Sequence, residues 1–226
     1  MDDAKAKARV GAPDRWAIVA ESMTGGRGTG GNTWHAPPGG LYLSFVLRGL
    51  QDPHLLTLAL GNAVADALEV AGAEPRLKWV NDVLVGGKKI AGILVEGEST
   101  GDRFDFLVAG IGININGSAA RFPPELRPVA TTLEDVLACD SCIPDLETLL
   151  LQRVDRWLGK LADGRDGDIV AAFRARDALA GRRIRVESGR QRTEGVAAGI
   201  DEQGHLLVRV GAATQALSNG TVTLLG

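Results

Sequence analysis

Hydrophobic and polar positions along the chain predict a strand-rich first part with a few helices, then a run of short strands. Trp16 to Glu21 and Leu41 to Arg48 read as strands, the second with apolar residues at alternate positions. Asp52-Pro53 has the chemistry of a helix start, with aspartate as cap and proline in the first turn. Leu56, Leu60, Val64, Ala67, Leu68 and Ala71 then recur at helical spacing until Gly72 ends the helix. Arg76 to Val85 and Lys89 to Gly97 read as two strands joined at Gly86-Gly87, and Phe104 to Ile115 as a third. Thr132 is expected to cap a short helix to Ala138, and Asp145 a longer one reaching Leu161. A further helix is expected over Asp168 to Ala178. At the start, Asp2 to Val10 is a charged, alanine-rich helix broken by Gly11-Ala12-Pro13-Asp14. The pattern predicts an α+β fold, a mixed β-sheet with packing helices.

From Gly181 the cadence changes. Arg183–Glu187, Gln191–Ile200, His205–Val210, Thr214–Leu217 and Thr221–Leu225 are short strands between glycine and Asp-Glu turns, the cadence of a small five-stranded barrel. Two domains are expected, residues 1–178 and 181–226. Small barrels serve many functions, so this part names none.

With 226 residues, 45% of them hydrophobic, the chain can build one good core, or one core and a small satellite. Its 25 basic and 28 acidic residues give a formal charge of -3, which supplies no argument for nucleic acid or an anionic membrane as partner. No apolar run is long enough to cross a bilayer, and MDDAKAKARV lacks the apolar segment of a secretory signal. A cytoplasmic enzyme is the default expectation. Cys139 and Cys142 form a lone C-x-x-C followed by Pro144, and His35, His54 and His205 are scattered. A zinc or redox site needs more than this, so two surface thiols are the better expectation.

The candidate chemistry starts at Gly25–Arg48, GGRGTGGNTWHAPPGGLYLSFVLR. Five of the seven residues from Gly25 to Gly31 are glycine, and Arg27 is the one charge among them. Without Cβ atoms, backbone N–H groups can approach an anion closely, and arginine adds a fork for carboxylate or phosphate. An anion-binding loop, mobile when empty, is therefore expected; a plain surface hairpin would share the composition. Gly26, Gly28 and Gly31 also fit G-x-G-x-x-G, but Pro37-Pro38-Gly39-Gly40 cannot open the helix a dinucleotide fingerprint requires.

Four motifs taken together resemble the biotin protein ligase family. They are GRGxxGxxW with PPGGLYLS, then Lys78-Trp79-Val80-Asn81-Asp82, then Lys88 to Glu96 (KKIAGILVE), then Gly110 to Asn114 (GIGIN). Order and spacing match as well, and the resemblance runs to the C-terminus. It implies the short type, without a helix-turn-helix, and an SH3-like C-terminal domain. The implied reaction uses ATP, biotin and Mg²⁺. Biotin is activated as biotinyl-5′-AMP and passed to a lysine of a biotin carboxyl carrier domain that docks transiently.

By this resemblance Lys89 bridges the biotin carboxylate and the α-phosphate, and Arg27 reaches the adenylate phosphate and biotin. Strand alternation puts Lys88 and Lys89 on opposite faces, so only one can serve. Met23, Gly26, Gly92 and Gly110 fall on the biotin side. Trp34 packs over adenine, Asn114 reads it, and Lys78 and Asn81 belong to the ATP site. Asp82 holds Mg²⁺ or orients a backbone. Simpler readings stand beside these: a solvated turn lysine, a loop arginine in water, a hydrophobic anchor at Trp34, a strand-end asparagine.

The sequence also departs from the family pattern. Met23 stands where a biotin-contacting glutamine is usual, and Thr29 and Asn32 stand where the pattern has arginines. One charged hydrogen bond fewer, about 1.5–3 kcal/mol, implies readier leakage of activated biotin. Met1-Asp2-Asp3-Ala4 resembles the residues just after a Ser-Thr pair that bonds biotin, so the expectation is an internal start with one strand missing and a bare sheet edge, open to a homodimer. The rivals are a catalytically dead biotin-binding homologue and a lipoate ligase-like acyl-adenylate enzyme.

Overall fold

A computed structural model describes residues 1–50, 53–101, 103–138 and 145–225. The expected cap Asp52 and the Cys139-x-x-Cys142 pair lie outside the described residues.

Six strands form the larger sheet: β1 (Ala17–Ala20), β2 (Leu41–Leu47), β3 (Arg76–Lys78), β4 (Asp82–Val85), β5 (Lys88–Thr100) and β6 (Arg103–Ile113). Their order is β1-β2-β6-β5-β4-β3, and neighbouring strands pair antiparallel. Parallel pairing enters through isolated bridges, Leu77 with Asp177 and Lys89 with Ala130.

Period-two alternation gives this sheet two different faces. Leu43 and Phe45 of β2, Ala91 and Ile93 of β5, and Ala109, Ile111 and Ile113 of β6 enter the main core. There they meet helices α2 (Leu56–Val70), α4 (Leu146–Ala162) and α5 (Asp166–Arg176). The opposite face is covered at one end by α1 (Asp2–Arg9), whose Ala4 and Ala8 pack on Val46, Phe106 and Val108. Further along that face the side chains shrink. The strand registers line up Val46–Val108–Glu96, then Ser44–Gly110–Leu94, then Tyr42–Gly112–Gly92. The glycine rows leave a hollow at the end of α1.

Three expected elements differ in detail. Arg76 to Val85 is not one strand: β3 and β4 pair with each other, Lys78 opposite Asp82, so Trp79-Val80-Asn81 is a hairpin turn. The helix expected from Pro53 begins at Leu56, behind a turn in which Leu56 N–H donates to Pro53 C=O at 2.9 Å. The helix expected over Asp168–Ala178 is α5, which stops at Arg176 because Asp177 and Ala178 leave it to bond beside β3. The short helix α3 (Leu133–Leu137) and α4 start as read, capped by Thr132 and Asp145.

The chain ends in a five-stranded antiparallel sheet: β7 (Arg183–Ser188), β8 (Gln191–Ile200), β9 (Leu206–Val210), β10 (Ala213–Leu217) and β11 (Thr221–Leu224), in the order β10-β9-β8-β7-β11. Ile184, Val186, Leu206, Val208 and Val222 join the core that the helices and larger sheet share.

Candidate active site

The hollow is built from the sheet upward. Gly110 and Gly112 of β6 and Gly92 of β5 form its floor. A Cβ on Gly112 would stand 2.9–3.0 Å from Trp34 ring atoms, and one on Gly92 would stand 3.0 Å from Trp34 Cζ3 and 3.1 Å from Lys89 Cε. A Cβ on Gly110 would meet Met1 Sδ at 2.7 Å. Trp34 thus lies flat on two glycines, and Met1 fills the space above the third. Any larger residue would push them off.

The glycine loop forms one wall. It folds as a miniature hairpin: Arg27 and Thr33 form an antiparallel bridge, Gly28 N–H donates to Asn32 C=O at 2.7 Å, and Trp34 N–H to Gly26 C=O at 2.9 Å. Gly30 and Gly31 adopt φ of 68° and 82°, the left-handed region that glycine enters without steric cost. Gly26 packs directly against the Trp34 backbone, so it shapes the loop and does not line the cavity. Arg27 pairs with Asp2 at 2.6 Å and Glu96 at 3.2 Å, and its guanidinium holds the Asp2 carboxyl below its ordinary range.

Three charges meet at the centre. Lys89 Nζ lies 2.5 Å from Asp82 Oδ1, and Lys78 Nζ 3.3 Å from Asp82 Oδ2. Lys89 also sits 5.1 Å from the centre of a Trp34 ring, within cation–π range. Lys88, on the other side of β5, reaches Arg127 C=O instead. Asn81 donates from one amide nitrogen to Thr29 Oγ1 and to Ile93 C=O, each at 2.8 Å. These contacts explain the turn at Trp79–Asn81. It carries no glycine or proline, and long-range bonds from Asn81 and the Trp79 indole hold it in place.

The cavity has a neighbour across Trp34. The first is lined by Met1, Met23, Arg27, Asn81, Gly92 and Gly110 among others, and the second by His35, Asn114, Phe122, Leu126, Val129 and Leu224 among others. Thr33, Trp34, Lys78, Asp82, Lys89 and Val222 line both. Most expected residues therefore meet at one place, with Asn114 set apart in the second cavity. Its amide nitrogen donates to Thr131 C=O at 3.0 Å. Trp34 Nε1 is buried at the junction with no hydrogen-bond partner among the described residues, a donor a bound ligand could satisfy.

The residues present do not fit a resident metal. Both oxygens of Asp82 already face ammonium groups, and no group of three or more His, Cys, Asp or Glu able to hold an ion occurs among the described residues. Asp82 serves as the counter-charge of two lysines.

Sequence reading missed four contributors. Gly112 was recoverable, since alternation puts it on the same face as Gly110. Asp2 and Glu96, the partners of Arg27, and β11 with Val222 come from remote parts of the chain and carry no local signal.

The site is thus a two-lobed hollow floored by glycine, with two lysines at its waist and an arginine on its rim, charges that suit an anionic small molecule once their Asp82, Asp2 and Glu96 partners are exchanged for it. Comparison with known proteins then identifies the relatives. Residues 8–114 match the model of the Biotin/lipoate A/B protein ligase family, and residues 180–225 that of the Biotin protein ligase C terminal domain. The biotin–[acetyl-CoA-carboxylase] ligase of Mycobacterium tuberculosis is 35% identical, over 99% of this chain and 84% of that protein. The bifunctional ligase/repressor BirA of Bacillus spizizenii is 41% identical over 54% of this chain, and the match spans 39% of that protein's length. The biotin protein ligase of Aquifex aeolicus, solved in complex with biotin and ATP, superposes with a TM-score of 0.83 at 28% identity, over 98% of this chain and 94% of that one. The chain belongs to the biotin protein ligase family.

Proposed function

We propose that this chain activates biotin with ATP and transfers it to a lysine of a biotin carboxyl carrier domain. The observation that carries the reading is the Lys89–Asp82–Lys78 cluster where the two cavities meet. The first cavity, with Met23, Gly92 and Gly110, would take biotin; the second, with Asn114, would take adenine, with Trp34 between them. The relatives' names and the biotin and ATP of the Aquifex complex support this assignment.

The chemistry follows from charge. A biotin carboxylate oxygen bonds to the α-phosphorus of ATP while the bond to the β-phosphate bridging oxygen breaks, releasing diphosphate. The carboxylate is ionised at neutral pH and needs no base. Two anions must approach each other, so the main need is positive charge held in place. Lys89 is a compact ammonium at the waist, suited to touch both. Asp82 keeps it there before substrate arrives. Arg27 would exchange its Asp2 and Glu96 partners for the adenylate. In the second step a carrier lysine nitrogen attacks the acyl carbon, AMP leaves, and the ammonium proton passes to solvent. The reading places the protein beside its carrier in the cytoplasm; no helix among the described residues is long and apolar enough to cross a membrane.

Biotin-dependent exchange of labelled diphosphate into ATP tests the first step without a carrier. The native chain is expected to exchange, and Lys89→Ala to lose the signal by about a hundredfold or more. Exchange that continues in Lys89→Ala, or that runs with lipoate in place of biotin, would refute the assignment.

A further inference from the structure

We propose that Thr29 and Asn81 form a ligand-independent latch that holds the glycine loop against the first cavity, making Thr29 a positioning residue for Arg27 and Trp34. The consequence for catalysis rests on the function proposed above; the latch itself does not.

The Thr29 hydroxyl accepts from Asn81 Nδ2 at 2.8 Å, and the second hydrogen of the same amide goes to Ile93 C=O at 2.8 Å. Asn81 is thereby fixed to β5, and through it the loop is fixed to the sheet that floors the cavity. Inside the loop, Asn32 Nδ2 donates to Thr29 C=O at 2.9 Å. The two positions where the resembled pattern has arginines thus carry side chains that close the loop through neutral hydrogen bonds.

This closure depends on the residue type. A guanidinium has five donors and no acceptor, so arginine at position 29 could not accept from Asn81. Threonine can. Arginine there would wait for an anion; threonine holds the loop with none present. Trp34 and Arg27 lie on the same miniature hairpin, bound to it through Trp34 N–H to Gly26 C=O and the Arg27–Thr33 bridge. Fixing Thr29 therefore fixes both. A loop already in place need not be ordered by its ligand, which removes that cost from binding. It must also open for ligand to enter or leave.

Trypsin reads the opening directly. Arg27 is the only Lys or Arg between Arg15 and Arg48, so a cut after it reports this loop alone. Thr29 is exposed, and Thr29→Val keeps its shape without the hydroxyl. Without ligand, Thr29→Val is expected to be cut after Arg27 about fivefold faster than the native chain, the effect of one neutral hydrogen bond. Thr29→Ser is expected to match the native chain. Equal cutting of native and Thr29→Val chains would overturn the latch, as would Thr29→Ser cutting as fast as Thr29→Val. Biotin with ATP should suppress the cut in all three. Failure of that suppression alone would count against the ligase reading and leave the latch standing.

Discussion

At the scale of single residues, the site depends on what is missing from two strands. Gly92 and Gly112 face each other across β5 and β6, and Trp34 occupies the space their side chains would fill. A methyl group on Gly112 would stand 2.9 Å from the indole, closer than packed atoms tolerate, so the ring must move. Because the backbone at Gly112 is an ordinary strand, the strain falls on the indole and not on the fold. If Trp34 stands against adenine, as proposed above, Gly112→Ala is therefore expected to raise the KM for ATP about tenfold, with the melting temperature held within a few degrees. A normal KM would show that the indole contributes nothing to ATP binding in this position. The importance of this floor was legible in the sequence only through the resemblance at Gly92 and Gly110. The paired charges were not legible. Lys89 finds Asp82 seven residues back, across a strand pair, and Arg27, in the glycine loop, finds Glu96 on β5, 69 residues further on.

At the scale of elements, the readings that held rest on local chemistry. Thr132 and Asp145 cap their helices because an oxygen stands at the right place before a helical run, a condition set within a few residues. The reading that failed, one strand from Arg76 to Val85, met a turn without glycine or proline. Its residues, Trp79-Val80-Asn81, are held by remote partners. A turn of the opposite kind joins β8 and β9. There Asp201 accepts from Gln203 N–H at 3.0 Å and His205 N–H at 2.8 Å, and lies 3.0 Å from His205 Nδ1. Partial burial pushes its carboxyl up, but these hydrogen bonds outweigh that and hold it below the ordinary range. A carboxyl depressed in the folded state adds stability above its unfolded value, near 3.8, and loses it as pH falls through the lower folded value. Asp201→Asn should therefore be less stable than the native chain at pH 7, and the gap in melting temperature should close as pH falls toward 3. A gap that stays constant with pH would mean the carboxylate charge plays no part in the turn.

At the scale of the whole molecule, the C-terminal strands are tied to the site as well as to the core. The expected division at residues 178–181 follows the sequence cadence, yet the structure joins the two sides closely. Gly204, in the β8–β9 turn, sits so near Leu55 and Leu58 of the α2 region that a Cβ there would be 2.7–2.8 Å from them. Its carbonyl accepts from Trp79 Nε1 at 2.9 Å in a buried contact. Arg174 of α5 donates to Ile200 C=O from two nitrogens, at 2.7 and 3.1 Å. Trp79 stands in the same turn as Asn81, so the C-terminal sheet helps to hold the residue that grips both Thr29 and β5. Trp79→Phe keeps most of the buried ring and deletes only the donor. The loss should lower stability by about 1–3 kcal/mol, because Gly204 C=O is left buried without it. If the C-terminal sheet positions the turn, the same variant should also speed tryptic cutting after Arg27, more than 50 residues away in sequence. A variant that loses stability while the Arg27 cut stays at the native rate would confine Trp79 to packing. A faster cut would mean that the C-terminal sheet sets the glycine loop through Trp79 and Asn81.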